Sequence, residues 1–385
     1  MALPSGATLT RFNYIEKITG DIGPYAGRVS QDQKNVLVVG GGIIGLVSAF
    51  RLAQAHHGVT LFDPAVAKGA TWAAAGMVAP GAEIAPGEQS NYELQKGALA
   101  AWREVSHALD ELTGEGITIA QTGTLLVGWD ASDRRLIEQF RKVASGFEAP
   151  MDVVTRNDSP DIFEGVTHRI SEGLLMTDDA WIDPDQIVRL LLRGLELLDV
   201  RVVAEEVLDI SSNFEGVAVR TGTGEFRGDL GILATGAGRL PDGALTSGAN
   251  VVRPIRGVTV RVQGIDRSEQ PSVRAFVRGR AFYMVSRFGG YCVLGATAEE
   301  RADAVLEVGE LQRLLRDALD IVPELETARV LETRMGLRPA SADLEPFFEV
   351  LANKGWAWSS GHYRHGVTLA PLAALRAVEF AEGPA

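Results

Sequence analysis

The stretch that most constrains this chain is Val36-Leu37-Val38-Val39-Gly40-Gly41-Gly42-Ile43-Ile44-Gly45. Four consecutive apolar residues predict a buried strand, and the apolar run Leu46 to Leu52 beyond the glycines predicts a helix. Gly40, Gly42 and Gly45 have the spacing of a dinucleotide-binding turn. The first glycine permits a tight turn, the second lets backbone approach a pyrophosphate, and the third lets helix and strand pack closely. The helix N-terminus then presents free N–H groups to the phosphates. The spacing alone is a weak signal, but its context strengthens it. Val59-Thr60-Leu61-Phe62 predicts a second strand, and it ends in Asp63, where a carboxylate can meet a ribose hydroxyl. The competing reading is a glycine-rich turn with no ligand.

Of the 385 residues, 46% are hydrophobic and 23% charged, the balance of a soluble globular chain long enough for two domains. The net charge of −13 argues against a nucleic-acid partner, which needs a basic surface. The single cysteine, Cys292, excludes an intrachain disulfide and a multi-cysteine metal site, and reads as a core residue of a strand. His362 and His365 have no compact acidic or thiol partners in sequence, so no metal is expected. No nucleophile elbow of a serine hydrolase occurs. No apolar run approaches the ~20 residues that span a bilayer. Residues 1–34 are polar and lack a basic segment followed by an apolar one. They are expected to form an N-terminal extension, with cytoplasmic localisation by default.

Further along, Ala70-Thr71-Trp72-Ala73-Ala74-Ala75-Gly76-Met77 is dominated by small residues. Such a run suits a tightly packed helix start or a flat ligand lying on backbone, and composition alone favours packing. Helices are predicted at 92–112, 132–144, 307–320 and 367–380, and Asp183-Pro184 opens another whose body is Ile187 to Leu198. Strands are predicted at 117–128, 152–154, 201–208, 215–220 and 230–234. The last ends in Ala234-Thr235-Gly236-Ala237, a second place where backbone can meet a dinucleotide. A later block, 251–263, 273–278, 281–286 and 291–296, predicts a second, mostly antiparallel sheet. With no linker visible, the domains are expected to interleave.

Three polar side chains stand out. Tyr283 alternates with apolar neighbours on a strand, Arg338 sits in Gly336-Leu337-Arg338-Pro339 at a strand end, and Arg364 lies in a glycine-flanked turn before the last helix. Two arginines and a tyrosine suit a carboxylate, since the guanidinium fork pairs both oxygens and the phenol adds a third bond. For any one arginine alone, a surface or fold-holding ion pair is the commoner role.

These residues together resemble the FAD-dependent D-amino acid oxidase superfamily, in particular the glycine oxidase branch linked to thiamine biosynthesis. The resemblance rests on Gly40 to Gly45, Ala73 to Met77, Leu233 to Ala237, Tyr283 to Thr297, Gly336 to Pro339, and Gly361-His362-Tyr363-Arg364-His365-Gly366 followed by Leu369-Ala370-Pro371. It implies an α/β fold in which a Rossmann-type FAD-binding domain (35–78, 167–250 and 332–385) is interleaved with a mainly antiparallel substrate-binding sheet domain (79–166 and 251–331). It implies non-covalent FAD held by Gly40, Gly42, Ile43, Ile44, Gly45, Asp63, Pro64, Ala70, Thr71, Ala75, Gly76, Met77, Val207, Thr235, Gly236 and the run His362 to Thr368 (His362, Tyr363, Arg364, His365, Gly366, Val367, Thr368). Arg338 and Tyr283 would hold the substrate carboxylate, Arg364 would lie beside flavin and substrate, the Gly361 carbonyl would receive the amine, and Met77 would line the pocket. The implied reaction is oxidative deamination of glycine, an N-substituted glycine or a small D-amino acid. Hydride passes to flavin N5, dioxygen is the electron acceptor and hydrogen peroxide a product. A helix starting near Gly366 would aim N–H groups at the negative charge that builds up near flavin N1.

Two alternatives remain open at this point: a same-fold dehydrogenase or natural-product tailoring amine oxidase, and a flavin-binding subunit without turnover. The sequence leaves homo-oligomerisation open. It also departs from the family pattern at Trp72, Val258, Ala281 and His365.

Overall fold

The first strand, Asn35–Val39, shows how the chain sorts its apolar residues. Val36 and Val38 enter one hydrophobic core, and Leu37 and Val39 enter another on the opposite face. A strand buried on both faces belongs in the middle of a covered parallel sheet. In the computed structural model, which describes residues 33–383 except 247, 249, 304, 353 and 354, it occupies that place. The expected extension 1–34 therefore lies almost wholly outside the described residues.

The sheet has six strands in the order Phe347–Val350, Trp356–Ser360, Leu230–Leu233, Asn35–Val39, Gly58–Phe62 and Arg201–Val203. All neighbours are parallel except the first pair. The helices Ile43–Gln54, Ala98–Thr113, Pro184–Leu197 and Gly366–Glu382 contribute to the core on one face. The three-stranded antiparallel sheet 209–228 closes the other, its Val217 and Val219 sharing a core with Trp356 of the six-stranded sheet.

The second large sheet has eight strands: Arg329–Ala340, Arg253–Gln263, Tyr291–Gly295, Arg280–Arg287, Ser272–Val277, Thr124–Gly128, Glu172–Met176 and Asp152–Thr155. Only Ser272–Val277 and Thr124–Gly128 run parallel. The helix Val308–Ile321 packs against this sheet through Leu314, Ala318 and Ile321. The architecture is α/β, a mainly parallel sheet joined to a mainly antiparallel one.

Several predicted elements change. The helix expected over 92–112 is two helices, Gln89–Lys96 and Ala98–Thr113, divided at Gly97. The strand expected over 117–128 splits at Gly123, which has φ +79°, and its halves join different sheets. The strand over 201–208 stops at Val203, and Val207 is buried in the loop beyond it. The strands Glu172–Met176 and Ala180–Ile182 were not anticipated, and of Arg329–Ala340 only the end at Arg338 was expected. Arg329–Ala340 is broken up by charges and has no clean alternation; it is a strand because it pairs along the whole of Arg253–Gln263. Sheet membership also places Glu172–Met176 and Arg329–Ala340 in the eight-stranded sheet, whereas 167–176 and 332–340 were expected in the cofactor-binding part. No helix among the described residues is long and apolar enough to cross a membrane.

Candidate active site

A cavity of about 860 Å³ runs between the two large sheets. One end is made largely of backbone. Gly40 (φ +108°) turns the chain out of the first strand, and a side chain there would collide with the Ala234 carbonyl. Gly45 approaches the Gly40 carbonyl so closely that any Cβ would overlap it. The helix Ile43–Gln54 starts without a side-chain cap; the Thr71 hydroxyl accepts from Ile43 N at 2.9 Å, and the other first-turn amides remain for a ligand. Asp63 stands at the end of the second strand, and its carboxylate accepts from Gly41 N at 2.6 Å and Ala65 N at 2.7 Å. A second uncapped helix start, Gly366 to Thr368, also lines the cavity. Thr235 Oγ1, Ser359 Oγ, His362 Nε2 and His365 Nε2 are buried lining-residue atoms with no hydrogen-bond partner. Burial lowers His362 to about 4. Burial with the nearby Arg364 lowers His365 to about 3, so both imidazoles are neutral at pH 7.

The other end is charged. Tyr283 lies opposite Arg274 on one side and Gly295 on the other within the eight-stranded sheet. Gly295 has no side chain, which leaves room for the Tyr283 ring, and Gly257 does the same for the Arg338 guanidinium. Arg338 donates to the Thr297 carbonyl at 3.1 Å and has no acidic partner among the described residues. The Tyr283 hydroxyl likewise has no partner there, and burial raises its pKa although Arg338 opposes the rise. Glu83 faces both from the loop after Met77. It pairs with Arg274 and, at 2.7 Å, with Arg364 Nε. Burial pushes the Glu83 carboxyl up, but Arg274, Arg364, His365 and Arg338 together outweigh it and hold it below its usual range. The loop carrying Glu83 is held by Asp179, which accepts from Gly81 N at 2.9 Å and Ala82 N at 3.1 Å.

Of the residues singled out from sequence, the cavity is lined by Gly40, Gly42, Ile43, Ile44, Asp63, Pro64, Ala70, Thr71, Ala75, Gly76, Met77, Val207, Thr235, Gly236, Tyr283, Arg338 and His362 to Thr368. Gly45 and Gly361 are not among the lining residues. Gly45 acts by letting helix and strand close up, and Gly361 (φ +79°) turns the chain against Phe347 and the Glu345 carbonyl. Arg364 lines the cavity with its charge already taken by Glu83 and, at 2.9 Å, by Glu88, which leaves Arg338 as the cation open to a carboxylate. Glu83, Arg274 and Thr297 were missed. A charged residue alternating with apolar ones, as Arg274 does in Ser-Val-Arg-Ala-Phe-Val, is the signal that was available.

Comparison with known proteins agrees with this geometry. The FAD dependent oxidoreductase (DAO) family profile matches residues 35–379. The chain is 27% identical over 349 residues to a glycine oxidase of Bacillus licheniformis, covering 88% of this chain and 90% of that protein. It is 29% identical over 354 residues to a bifunctional ThiO/ThiG protein of Synechocystis, covering 89% of this chain and 51% of that one. The crystal structure of glycine oxidase from Geobacillus kaustophilus superposes with a TM-score of 0.81 at 24% identity, over 91% of this chain and 95% of that one. The chain belongs to the DAO family of FAD-dependent oxidoreductases. The backbone cradle, the two helix starts and the orphaned buried polar atoms fit FAD.

Proposed function

We propose that this chain is an amino acid oxidase acting on glycine, an N-substituted glycine or a small D-amino acid. The carrying observation is Arg338: a guanidinium that, like the Tyr283 hydroxyl beside it, has no acidic partner among the described residues, at the end of a cavity whose other end suits FAD. The similarity to glycine oxidases supports the substrate class. Bound FAD supplies the two-electron acceptor for the substrate's α C–H bond.

The chain's own residues orient the substrate. Arg338 and Tyr283 clamp the carboxylate with a fork and a third hydrogen bond, which fixes the α-carbon. Glu83 stays ionised between Arg274 and Arg364 and is a poor base, so the amine enters neutral and no side chain removes its proton. The first-turn N–H groups from Gly366 onward supply a fixed positive potential at the cavity wall. The substrate loses two electrons and two protons to become an imine, which water converts to a keto acid and ammonia or an amine. Dioxygen takes up the two electrons and two protons as hydrogen peroxide. Ala281 is exposed where it lines the cavity two residues before Tyr283, which leaves space for more than the hydrogen of glycine. We assign the six-stranded sheet to FAD and the eight-stranded sheet to the substrate.

The test is anaerobic mixing of the purified yellow protein with a panel of amino acids, N-alkyl glycines and amines lacking a carboxylate. Carboxylate-bearing substrates should bleach the flavin, and admitted air should restore it with peroxide release. Bleaching by the simple amines alone would overturn the assignment.

A further inference from the structure

We propose that Arg256 is a positioning residue for the substrate carboxylate, acting on Arg338 through the segment 297–303. The inference rests on the reading of Arg338 as the carboxylate ligand. Arg256 lies on the strand Arg253–Gln263 and is fully buried. Its guanidinium meets Glu299 at 2.8 Å, Asp303 at 2.7 Å and Glu310 at 2.9 Å, and also donates to the Val305 carbonyl. Its backbone exchanges two hydrogen bonds with Glu299, at 2.8 and 3.0 Å. One residue therefore ties the segment after Tyr291–Gly295 to the sheet by both main chain and side chain, and to the helix Val308–Ile321 through Glu310.

The same segment carries the only protein group to which Arg338 donates among the described residues. The Thr297 carbonyl accepts from Arg338 Nη1 at 3.1 Å, and Thr297 Oγ1 accepts from Val258 N at 3.0 Å. Arg338 rests over Gly257, the residue after Arg256. The aim of the guanidinium is thus set by backbone held on both sides of Gly257. No acidic group among the described residues holds Arg338 itself, so a shift of the Thr297 carbonyl passes directly to the carboxylate site. A flexible long cation gains most from a fixed support of this kind. Arg301 and Arg313 also meet Glu299, at 3.9 and 4.0 Å, from the solvent side, and neither touches Arg338.

The experiment uses the FAD-loaded enzyme and two probes read by flavin absorbance: glycolate, which carries the carboxylate, and glycolamide, its uncharged amide. Arg256→Lys keeps the charge and loses the fork. Replacing Arg256 by a neutral residue would strand the buried Glu310, so Glu299→Gln serves as the second variant. Both should weaken glycolate binding and raise KM by roughly five-fold or more, leaving glycolamide affinity and kcat within about two-fold. Arg313→Ala should match the native protein. Glycolate affinity unchanged in Glu299→Gln and in any folded Arg256→Lys, while Arg338→Ala abolishes it, overturns this inference alone. Equal weakening of both probes also overturns it, because that is general loosening. Retained glycolate binding in Arg338→Ala removes the carboxylate site and this inference with it.

Discussion

The two ends of the cavity are built on opposite principles. The cofactor end is mostly main chain: glycines whose missing side chains set distances, two helix starts without caps, and neutral buried polar atoms awaiting partners. The end we assign to the substrate is mostly side chain: Arg338 and Tyr283 left open, with Glu83, Arg274, Arg364 and Glu88 closed upon one another. A backbone site tolerates almost no substitution at its glycines, but it recognises only the diphosphate feature common to many ligands. A side-chain site can be retuned one residue at a time, and specificity resides there. Both ends share one economy, since each uses glycine to admit a large group: Gly40 and Gly45 for the cofactor, Gly257 and Gly295 for Arg338 and Tyr283.

The sharpest way to break this contrast is Gly45→Val. Its Cβ overlaps the Gly40 carbonyl, so backbone must move. We expect complete loss of FAD, read from flavin content and thermal melting; a yellow, stable variant would refute a backbone-made cofactor end. Next in size is Arg338→Ala. Removing a charge-assisted partner should cost about 1.5–3 kcal/mol of carboxylate binding, roughly ten-fold or more in kcat/KM, with FAD content unchanged. Loss of FAD in this variant would mean the two ends are not separable.

Asp63→Ala follows. It removes acceptors for Gly41 N and Ala65 N, so FAD retention should weaken by about 1–2 kcal/mol while the fold survives. Equal FAD affinity, measured by dialysis against apoprotein, would count against the ribose assignment. A separate test concerns acid stability rather than ligand binding. A histidine held neutral at about 3 when folded and near 6.5 when unfolded binds more protons unfolded between those values. Its contribution is present above pH 6.5 and declines as pH falls, by about 1.4 kcal/mol per unit within that window. His365→Asn should therefore flatten the loss of stability between roughly pH 6 and pH 4. An unchanged slope in denaturant titrations would show that His365 is not buried neutral.

How much of this was legible depended on how local the cause was. The first strand, its glycine turn and the following helix were read correctly because strand, turn and helix follow within residues 35–54 and each signal is local. Tyr283 and Arg338 were found in a strand and near a strand end, by alternation and by resemblance. Arg364 was placed in the right turn but given a free charge, because its pairing with Glu83 depends on residues far away in sequence. Glu83 itself was invisible: a glutamate in a loop of small residues reads as solvent-facing until the fold turns it inward between two arginines. The body of Arg329–Ala340, upstream of its expected end at Arg338, was missed for the same kind of reason, since its strand character comes from its partner.

By itself, the sequence determined the strand–glycine turn–helix unit, the family, and the residue types available for a carboxylate. Backbone geometry after a strand is fixed by glycine placement within a few residues, and that is information a linear chain carries. Tertiary structure alone decided which charges are spent on each other and which stay open. Five arginine and glutamate side chains approach the charged end, and only Arg338 lacks an oppositely charged partner among the described residues. Ion pairing depends on distances of a few ångströms between segments up to 281 positions apart, as for Arg364 and Glu83, and only packing sets those distances.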